Sequence, residues 1–388
     1  MLFLFDFAQW GRMVRIAWRD PHPAGRRRML VRLLVVVPLV ASFHAVCFFL
    51  DGILFPGLHR IRVRAPVFLV GHARSGTTLL HRLMSRDAER FSSFRLYELY
   101  FPSLLQKRAI RALARFDRRF LGGFFERRVQ AWEKRRYAKT QDIHAMGLTK
   151  PEEDDFLFYW SCASGTWMLK LPAMGELDFY HLDREPERKR RRVERFYRDC
   201  IRRQLYLNGP DRIHLCKAPH FAGRVASLIE SFEDARIVVT MRSPHETIPS
   251  LLKLMKVGYT LRGWDEPRMA RSLGVLAEQS FHTYEYPLEV LAKHPETKHA
   301  IVDYRDLVAE PKRTVAEVYA ALGIPLEPGF AVQLDAEQAR AQKHESGHRY
   351  SLAEFGLDAD AIERELAELF ERYRWSRAAE AGDAHAAG

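Results

Sequence analysis

The sequence predicts an α/β fold with a central, mostly parallel sheet, preceded by a hydrophobic helical segment at the N-terminus. Three observations lead to this prediction. Residues 67–70, VFLV, form a short uncharged apolar run of the kind found in parallel strands buried on both faces. A glycine-bracketed turn follows this run, and residues 77–84 then carry apolar side chains at helical spacing. Similar strand patterns recur far downstream, at residues 213–216, 236–241 and 300–304.

Composition sets the outer limits on the function. The chain has 388 residues and a hydrophobic content of 47%, which is enough for a large globular core. A net charge of +12 suits anionic ligands, nucleic acid or an acidic membrane surface without choosing among them. The four cysteines lack the spacing of a metal site, so we expect reduced core residues and no bound metal: Cys47, Cys162, Cys200 and Cys216.

Residues 1–64 form a hydrophobic and basic segment that we expect to associate with a membrane. Within it, residues 33–50 carry no formal charge over 18 positions, close to the ~18 residues that mark a candidate membrane-spanning helix. Three arginines at positions 26–28 precede this stretch. A transmembrane helix, a monotopic insertion and a helix buried against the rest of the protein are the three interpretations. Pro38 and His44 weaken the first of them.

The turn after the first strand has the composition of a phosphate-binding loop. Gly71 and Gly76 bracket it, and Arg74 supplies a permanently charged, planar donor. Unpaired backbone N–H groups and the helix dipole attract an anion to the start of the following helix. Three hydroxyl groups add further donors: Ser75, Thr77 and Thr78.

The loop departs at one position from the nucleotide triphosphatase pattern G-x-x-x-x-G-K-[ST]. Thr77 stands where that pattern has its lysine, and the cation lies before the second glycine, at Arg74. This arrangement suits a single 5′-phosphate bearing another anionic group better than a triphosphate with Mg²⁺. One alternative is a variant P-loop nucleotide kinase or NTPase. A second alternative is a tight strand-to-helix turn that binds no ligand.

A second anion-binding pattern follows the strand predicted at residues 236–241. Arg242 leaves the strand end with a bidentate donor, Pro244 begins a helix, and Ser250 lies about two helical turns further on. Ligands of open α/β sheets bind at the carboxyl ends of the strands.

Together, RSGTT at residues 74–78 and Arg242-x-Pro with Ser250 resemble the phosphate-binding motifs of bacterial-type sulfotransferases that use 3′-phosphoadenosine 5′-phosphosulfate (PAPS). The resemblance covers roughly residues 67–308. It implies a three-layer fold like that of the P-loop kinases, with PAPS as cosubstrate and no metal. It further implies that the 3′-phosphate is held by Arg242 and Ser250. The 5′-phosphosulfate would be held by Arg74, Ser75, Gly76, Thr77 and Thr78.

The resemblance also implies catalytic residues. Lys217, at the end of the strand predicted at residues 213–216, matches the lysine that neutralises charge on the leaving oxygen. Glu98 lies 24 positions after Arg74, near the offset of the general base in the tyrosine-protein and bacterial glycolipid types. His220 is the other candidate base, since the cytosolic enzymes use a histidine. Their histidine follows the lysine by two positions, whereas His220 follows Lys217 by three.

Two charged stretches between these motifs have a simpler interpretation. Residues 151–155, PEEDD, make a good helix start and lack a nearby histidine for a metal site. We expect a structural or acceptor-side role there, with Glu153 as the reserve candidate for the base. Residues 109–136 are basic and helical, typical of a solvated face that also suits anionic lipid headgroups. No nucleic-acid-binding module is recognisable, so we expect no nucleic-acid partner.

We therefore expect a membrane-associating segment at 1–64, a sulfotransferase domain at 65–375 and a disordered tail at 376–388. The domain would transfer a sulfuryl group from PAPS to a hydroxyl, less often an amine, of a lipid, glycan or small molecule. Because PAPS is made in the cytosol, we expect the catalytic domain on the cytoplasmic side. A non-catalytic membrane-associated protein of the same fold is a further alternative. A late polar loop offers two more phosphate contacts, Lys343 and Arg349.

Overall fold

A computed structural model describes residues 3–20, 23–137, 147–341 and 351–375. Five parallel strands form one sheet in the order β2-β3-β1-β4-β5. The α/β fold with a central parallel sheet is therefore confirmed. The strands are β1 (Val67–Gly71), β2 (Phe91–Ser92), β3 (Ile213–Lys217), β4 (Arg236–Met241) and β5 (His299–Asp303).

Helices cover both faces of the sheet and extend beyond it at the N-terminus. Those of the N-terminal half are α1 (Phe7–Trp18), α2 (Pro23–Val31), α3 (Val37–Leu54), α4 (Thr77–Met84), α5 (Leu96–Tyr100), α6 (Leu104–Phe120), α7 (Phe124–Tyr137) and α8 (Glu187–Asn208). Those that follow are α9 (Val225–Ser231), α10 (Pro244–Thr260), α11 (Glu266–Lys293), α12 (Tyr304–Ala309), α13 (Pro311–Ala321), α14 (Pro328–Ala341), α15 (Ala359–Glu365) and α16 (Ala367–Tyr373).

The central strand β1 explains why the apolar run after Pro66 folds as it does. All five of its residues are buried, because β3 and β4 flank it and helices cover both faces. Val67 and Leu69 face the hydrophobic cluster that contains α4 and α13. Phe68 and Val70 face the opposite cluster, which contains α8 and α9. Each such side chain contributes roughly 1.5–3 kcal/mol through burial.

The N-terminal segment shares its core with the rest of the protein. The carboxylate of Asp51 in α3 pairs with the Arg203 guanidinium at 2.7 Å, and both side chains are fully buried. Phe48 stacks on Phe196 of α8 with ring centroids 5.7 Å apart. The helical stretch Gly25–Leu54 is long and apolar enough to cross a bilayer, and 33% of its most apolar window is buried in the protein. This packing favours a helix that lies along the domain over one that leaves it.

The helix start predicted at residues 151–155 is corrected by the structure. A 3-10 turn forms there, at Asp154–Phe158. The carboxylate of Asp155 accepts the backbone N–H groups of the next loop, which bends the chain away from a continuing helix. Phe91–Ser92 forms a two-residue strand at the edge of the sheet.

Candidate active site

The loop after β1 is shaped by two glycines with positive φ angles. Gly71 has φ +132°, and a Cβ atom there would lie 2.5 Å from the Thr240 carbonyl oxygen of β4. Gly76 has φ +98°, and a Cβ atom there would lie 2.6 Å from the Tyr304 ring. Any larger residue at either position would force the loop away from the sheet. The two glycines therefore bring backbone N–H groups close to the carboxyl edge of the sheet.

Arg74 at the top of this loop adopts φ +75°, a strained left-handed conformation for a residue with a side chain. Its Nε donates a hydrogen bond to Ser250 Oγ at 3.1 Å. The Nη1 atom of Arg242 lies 3.4 Å from the Arg74 carbonyl oxygen, which it contacts as a donor. The structure thus brings Arg74, Ser250 and Arg242 to one side of the sheet, although 176 residues separate Arg74 from Ser250.

Arg242 is held in place by an acidic and an aromatic neighbour. Its Nε donates to Glu246 Oε2 at 2.7 Å within α10, and its guanidinium carbon lies 4.2 Å from the centre of the Tyr304 ring. Glu246 is partly exposed and occupies the donors that a phosphate would use. The guanidinium is therefore oriented for an anion, and a carboxylate already contacts it.

The three loop hydroxyls are not equivalent. Ser75 is fully buried, and its Oγ donates to the His72 carbonyl oxygen at 2.6 Å and contacts Thr240 Oγ1 at 2.6 Å. These contacts show that the Ser75 hydroxyl helps to shape the loop, and its contact with a ligand stays a prediction. Thr77 and Thr78 lie in the first turn of α4, where backbone N–H groups have no partner within the helix. These two residues, with Gly76, fit an anion at the helix N-terminus.

Lys217 ends β3 as the sequence predicted, and two carboxylates surround it. Its Nζ lies 2.7 Å from Glu152 Oε1 and 3.5 Å from Glu153 Oε1. Burial opposes the charge on Lys217, but the carboxylates of Glu153 and Glu152 outweigh burial and raise its pKa above the ordinary value. Lys217 therefore stays cationic next to the loop. Glu153 is the more accessible of the two acids, with 25% of its side chain exposed against 3% for Glu152.

His220 lies against Asp155, with Nε2 2.9 Å from Oδ1 as an ion pair without hydrogen-bond alignment. Burial disfavours the charged imidazole, but the carboxylates of Asp155 and Glu153 outweigh burial and raise the pKa of His220. Burial also opposes the charge on Asp155, yet His220 and hydrogen bonds from Ser164 and Thr166 lower the pKa of Asp155 to about 2. His220 consequently keeps its proton to higher pH than a free histidine.

The sequence suggests a structural or acceptor-side role for the acidic stretch 151–155, with Glu153 as the reserve base, but it does not indicate which residues this stretch contacts. Asp154 Oδ2 accepts the Tyr197 hydroxyl hydrogen bond at 2.6 Å and contacts His214 Nε2 at 2.8 Å. With Lys217 and His220 included, the stretch contacts three residues in or just after β3, all at least 60 positions away in the sequence.

Glu98 has hydrogen-bond partners of its own, which differ from those of the acidic stretch. Its side chain is fully buried, and Oε2 accepts the backbone N–H of Arg95 at 3.0 Å, which caps α5. Its Oε1 accepts from the Tyr97 hydroxyl at 3.2 Å and from Arg111 Nη2 at 3.0 Å. Both oxygens therefore have partners inside the protein, which favours a structural role over proton abstraction from a substrate.

We predict that stability falls between neutral pH and about pH 5, because two histidines near the loop are buried uncharged. Burial lowers the pKa of His72 to about 4, and burial together with the Lys217 charge lowers that of His81 to about 3. The unfolded chain then binds protons that the folded chain does not. Each histidine should cost about 2 kcal/mol at about pH 5, partly offset by His220, whose raised pKa works in the opposite sense.

Urea unfolding at the two pH values measures this loss. His81→Gln should make the loss smaller, since a glutamine binds no proton in either state. A wild-type protein that is equally stable or more stable at the lower pH would contradict the prediction.

Two predicted contacts, Lys343 and Arg349, lie outside the described residues. Within residues 3–20, 23–137, 147–341 and 351–375, no group of three or more His, Cys, Asp or Glu side chains could hold a metal ion.

Comparisons with known proteins identify the family and the fold. A model of the sulfotransferase family matches residues 66–328. The omega-hydroxy-beta-dihydromenaquinone-9 sulfotransferase Stf3, from Mycobacterium bovis and from Mycobacterium tuberculosis, is 26% identical over 266 residues. This alignment spans 67% of the present chain and 63% of the length of Stf3.

Two solved structures share the fold. Sulfotransferase STF9 from Mycobacterium avium superimposes with a TM-score of 0.72 and 19% identity, over 97% of this chain and 94% of STF9. Sulfotransferase STF1 from Mycobacterium tuberculosis gives a TM-score of 0.65 and 18% identity, over 95% of this chain and 94% of STF1. The similarity includes the N-terminal helices as well as the sheet.

Proposed function

The chain belongs to the sulfotransferase family, and we propose that it transfers the sulfuryl group of PAPS to a hydroxyl group of a lipid. The observation that carries this proposal is the contact between two loops that are distant in sequence. Arg74 of the first loop and Arg242 of the second meet at the carboxyl edge of the sheet. Two permanently charged guanidinium groups at one edge of the sheet suit a nucleotide that carries a phosphate at each end.

The loop residues would hold the 5′ end of the donor. The backbone N–H groups at the start of α4 and the hydroxyls of Thr77 and Thr78 would bind the phosphosulfate. Arg74 would add a charged donor, and the strain in its backbone supports a binding role. Arg242 and Ser250 would bind the 3′-phosphate, which would replace Glu246 on the guanidinium.

The residues at the end of β3 would carry the transfer step. The acceptor oxygen bonds to sulfur while the bond from sulfur to the bridging oxygen of the 5′-phosphate breaks, leaving adenosine 3′,5′-bisphosphate (PAP). Lys217, cationic and buried beside the loop, would neutralise charge on that bridging oxygen. The proton of the acceptor hydroxyl would pass to a carboxylate.

Among the candidate bases we assign this role to Glu153. It lies next to Lys217 and is the partly exposed member of the acidic stretch. Glu98 has both oxygens engaged inside the protein. The raised pKa of His220 increases the fraction of the imidazole that already carries a proton near neutral pH, so less of it is free to accept the proton of the acceptor hydroxyl.

The lipid acceptor is proposed from the name of the relative. Stf3 is named for a hydroxylated menaquinone, a long apolar molecule with a terminal hydroxyl. The exposed apolar helices at the N-terminus of the present chain suit an enzyme that meets its acceptor at a membrane. We place the catalytic domain on the cytoplasmic side, where PAPS is made.

Binding of PAP and of ATP, each measured by calorimetry, tests the donor. We expect tight binding of PAP without Mg²⁺ and no measurable binding of ATP with Mg²⁺. Radiolabelled PAPS incubated with host lipid, glycan and protein extracts then tests the acceptor, and we expect label in the lipid fraction.

Tight ATP binding would instead support the variant nucleotide kinase or NTPase. PAP binding without transfer to any extract would support a non-catalytic protein of the same fold. Label confined to glycans or proteins would reject the lipid acceptor and leave the donor assignment intact.

A further inference from the structure

We propose that α3 and the hairpin formed by α6 and α7 together form a surface that binds an anionic bilayer in a monotopic manner. We call this surface the membrane face. The inference deepens the proposed localisation by naming the surface and the lipid charge. It does not depend on the sulfuryl donor, so the two proposals can fail separately.

Exposed apolar side chains are concentrated in the first third of the chain. Among the described residues, 24 large apolar side chains are exposed, and 21 of them precede residue 133. The remaining three are Val257, Leu261 and Val332. Scattered exposed apolar residues are normal in soluble proteins, whereas a concentration of this size marks a contact surface.

The outward side of α3 and of the helical turn before it, Arg32–Val36, supplies nine of these side chains. Leu39 and Phe49 are the most exposed, at 69% and 61%. The inward side of α3 is fixed to the domain, because Asp51 accepts the Ser103 hydroxyl and the Leu104 and Leu105 N–H groups at 2.8–2.9 Å. A helix held along its length in this way presents its apolar side to a bilayer without crossing it.

The α6–α7 hairpin supplies eight more. Its exposed apolar side chains are Leu113, Phe116, Phe120, Leu121, Phe124, Phe125, Val129 and Trp132. Asp117 caps the second helix by accepting the Phe125 and Glu126 N–H groups at 3.1 and 2.8 Å, which fixes the turn. The hairpin is thus a defined structure that holds aromatic side chains in solvent, and α6 packs directly against α3.

The charge around these side chains indicates what covers them. Residues 104–137 contain eleven lysines and arginines and three acidic residues. A second copy of this chain would bring like charges together across such an interface, whereas anionic headgroups would neutralise them. Aromatic side chains interleaved with arginine are typical of helices that lie in a membrane interface.

A cationic cluster lies at the end of the membrane face where α3 begins. The Arg32 Nε donates to the Tyr159 hydroxyl at 2.9 Å, and Lys170 Nζ lies 4.9 Å from the same ring centre. Burial and the charges of Arg32, Arg262 and Arg136 lower the pKa of Lys170 to about 7. No carboxylate of the described residues forms an ion pair with any of these four. Such a cluster suits a phospholipid headgroup.

Sedimentation of the full-length protein with vesicles tests the membrane face. We expect binding to vesicles of phosphatidylcholine mixed with phosphatidylglycerol and much weaker binding to phosphatidylcholine alone. Phe116→Gln with Phe120→Gln should lower the partition coefficient at least tenfold. Val332→Gln is the matched control, because Val332 is as exposed as Phe120 but lies on α14, and we expect no change.

A charge series separates headgroup attraction from apolar insertion. Neutralising Arg115, Arg119 and Arg128 to glutamine should weaken binding to the anionic vesicles by a factor on the order of 10–100. The same changes at three exposed arginines of α8 should have little effect: Arg188, Arg191 and Arg195.

Unchanged vesicle binding in the Phe116/Phe120 variant would overturn the proposal. So would a dimer in analytical ultracentrifugation that this variant dissociates while vesicle binding persists, since the occupant would then be a second copy. PAP affinity of each variant, measured in parallel, reports whether the fold and the donor site survive. If the vesicle-binding prediction fails while PAP affinity is normal, the membrane face is rejected and the proposed sulfuryl transfer is unaffected.

Discussion

Glu153→Gln is expected to lower kcat by about 10²- to 10⁴-fold, the range that removal of a general base produces. The glutamine keeps the shape of the side chain beside Lys217 but does not accept the acceptor proton. PAP affinity should be unchanged, because Glu153 lies at the end of β3 and not in either phosphate loop. Transfer rates with a lipid extract and calorimetric PAP affinity measure the two quantities.

Glu98→Gln is the matched comparison, since the sequence resemblance pointed to Glu98 for the same role. The carboxylate of Glu98 accepts hydrogen bonds from the Arg95 backbone N–H and from the Arg111 guanidinium inside the protein. Loss of the carboxylate charge in these hydrogen bonds should lower the free energy of unfolding by roughly 1.5–3 kcal/mol. We expect kcat of the folded Glu98→Gln protein to stay within a few-fold of wild type. A collapse of kcat in Glu98→Gln, with Glu153→Gln active, would return the base to Glu98.

Arg242→Ala is expected to weaken PAP binding about 100-fold. A charged hydrogen bond of the kind that Arg242 would make to a phosphate is worth roughly 1.5–3 kcal/mol. The loss should lie at the upper end, because the carboxylate of Glu246 would then face the 3′-phosphate with no guanidinium between them. Adenosine 5′-phosphate lacks the 3′-phosphate, so its affinity should change little.

Arg242→Lys separates charge from geometry in this prediction. Lysine keeps the charge but lacks the planar fork, so we expect an affinity between those of the alanine variant and the wild type. Arg313→Ala is the control, since Arg313 is exposed on α13 and pairs with Glu310 and Glu317. Equal loss of PAP and adenosine 5′-phosphate binding in Arg242→Ala would mean that Arg242 does not contact the 3′ end.

The sheet and the conformation of the glycine loop were predictable because their signals are local. β1, β4 and β5 contain apolar runs at residues 67–70, 237–239 and 300–302, which are typical of strands in a parallel sheet, and β3 contains the shorter run 215–216. Gly71 and Gly76 were recognisable because only glycine tolerates the loop's positive φ angles this close to Thr240 and Tyr304. Strand β2 escaped prediction because two residues at a sheet edge carry no periodic pattern.

The acidic part of the site could not be predicted in the same way. Residues 151–155 look like an ordinary helix start, and their partners Lys217 and His220 lie at the end of β3 and just after it, more than 60 residues later. For Glu98, the sequence position suggested a general base, because it lies 24 positions after Arg74. In the structure, both carboxylate oxygens of Glu98 accept hydrogen bonds from neighbouring residues. Side-chain partners across a fold depend on packing, and no local pattern encodes them.

The sequence by itself determined the parallel sheet, the glycine loop and the presence of two separated arginine motifs, because backbone conformation and hydrophobic period are properties of short segments. Only the tertiary structure decided that Arg74 and Arg242 meet, that Glu153 accompanies Lys217, and that α3 lies against the domain. These three contacts depend on which surfaces of the protein pack against each other and are buried from water. Hydrophobic burial is non-directional, so its result appears only once the whole chain has packed.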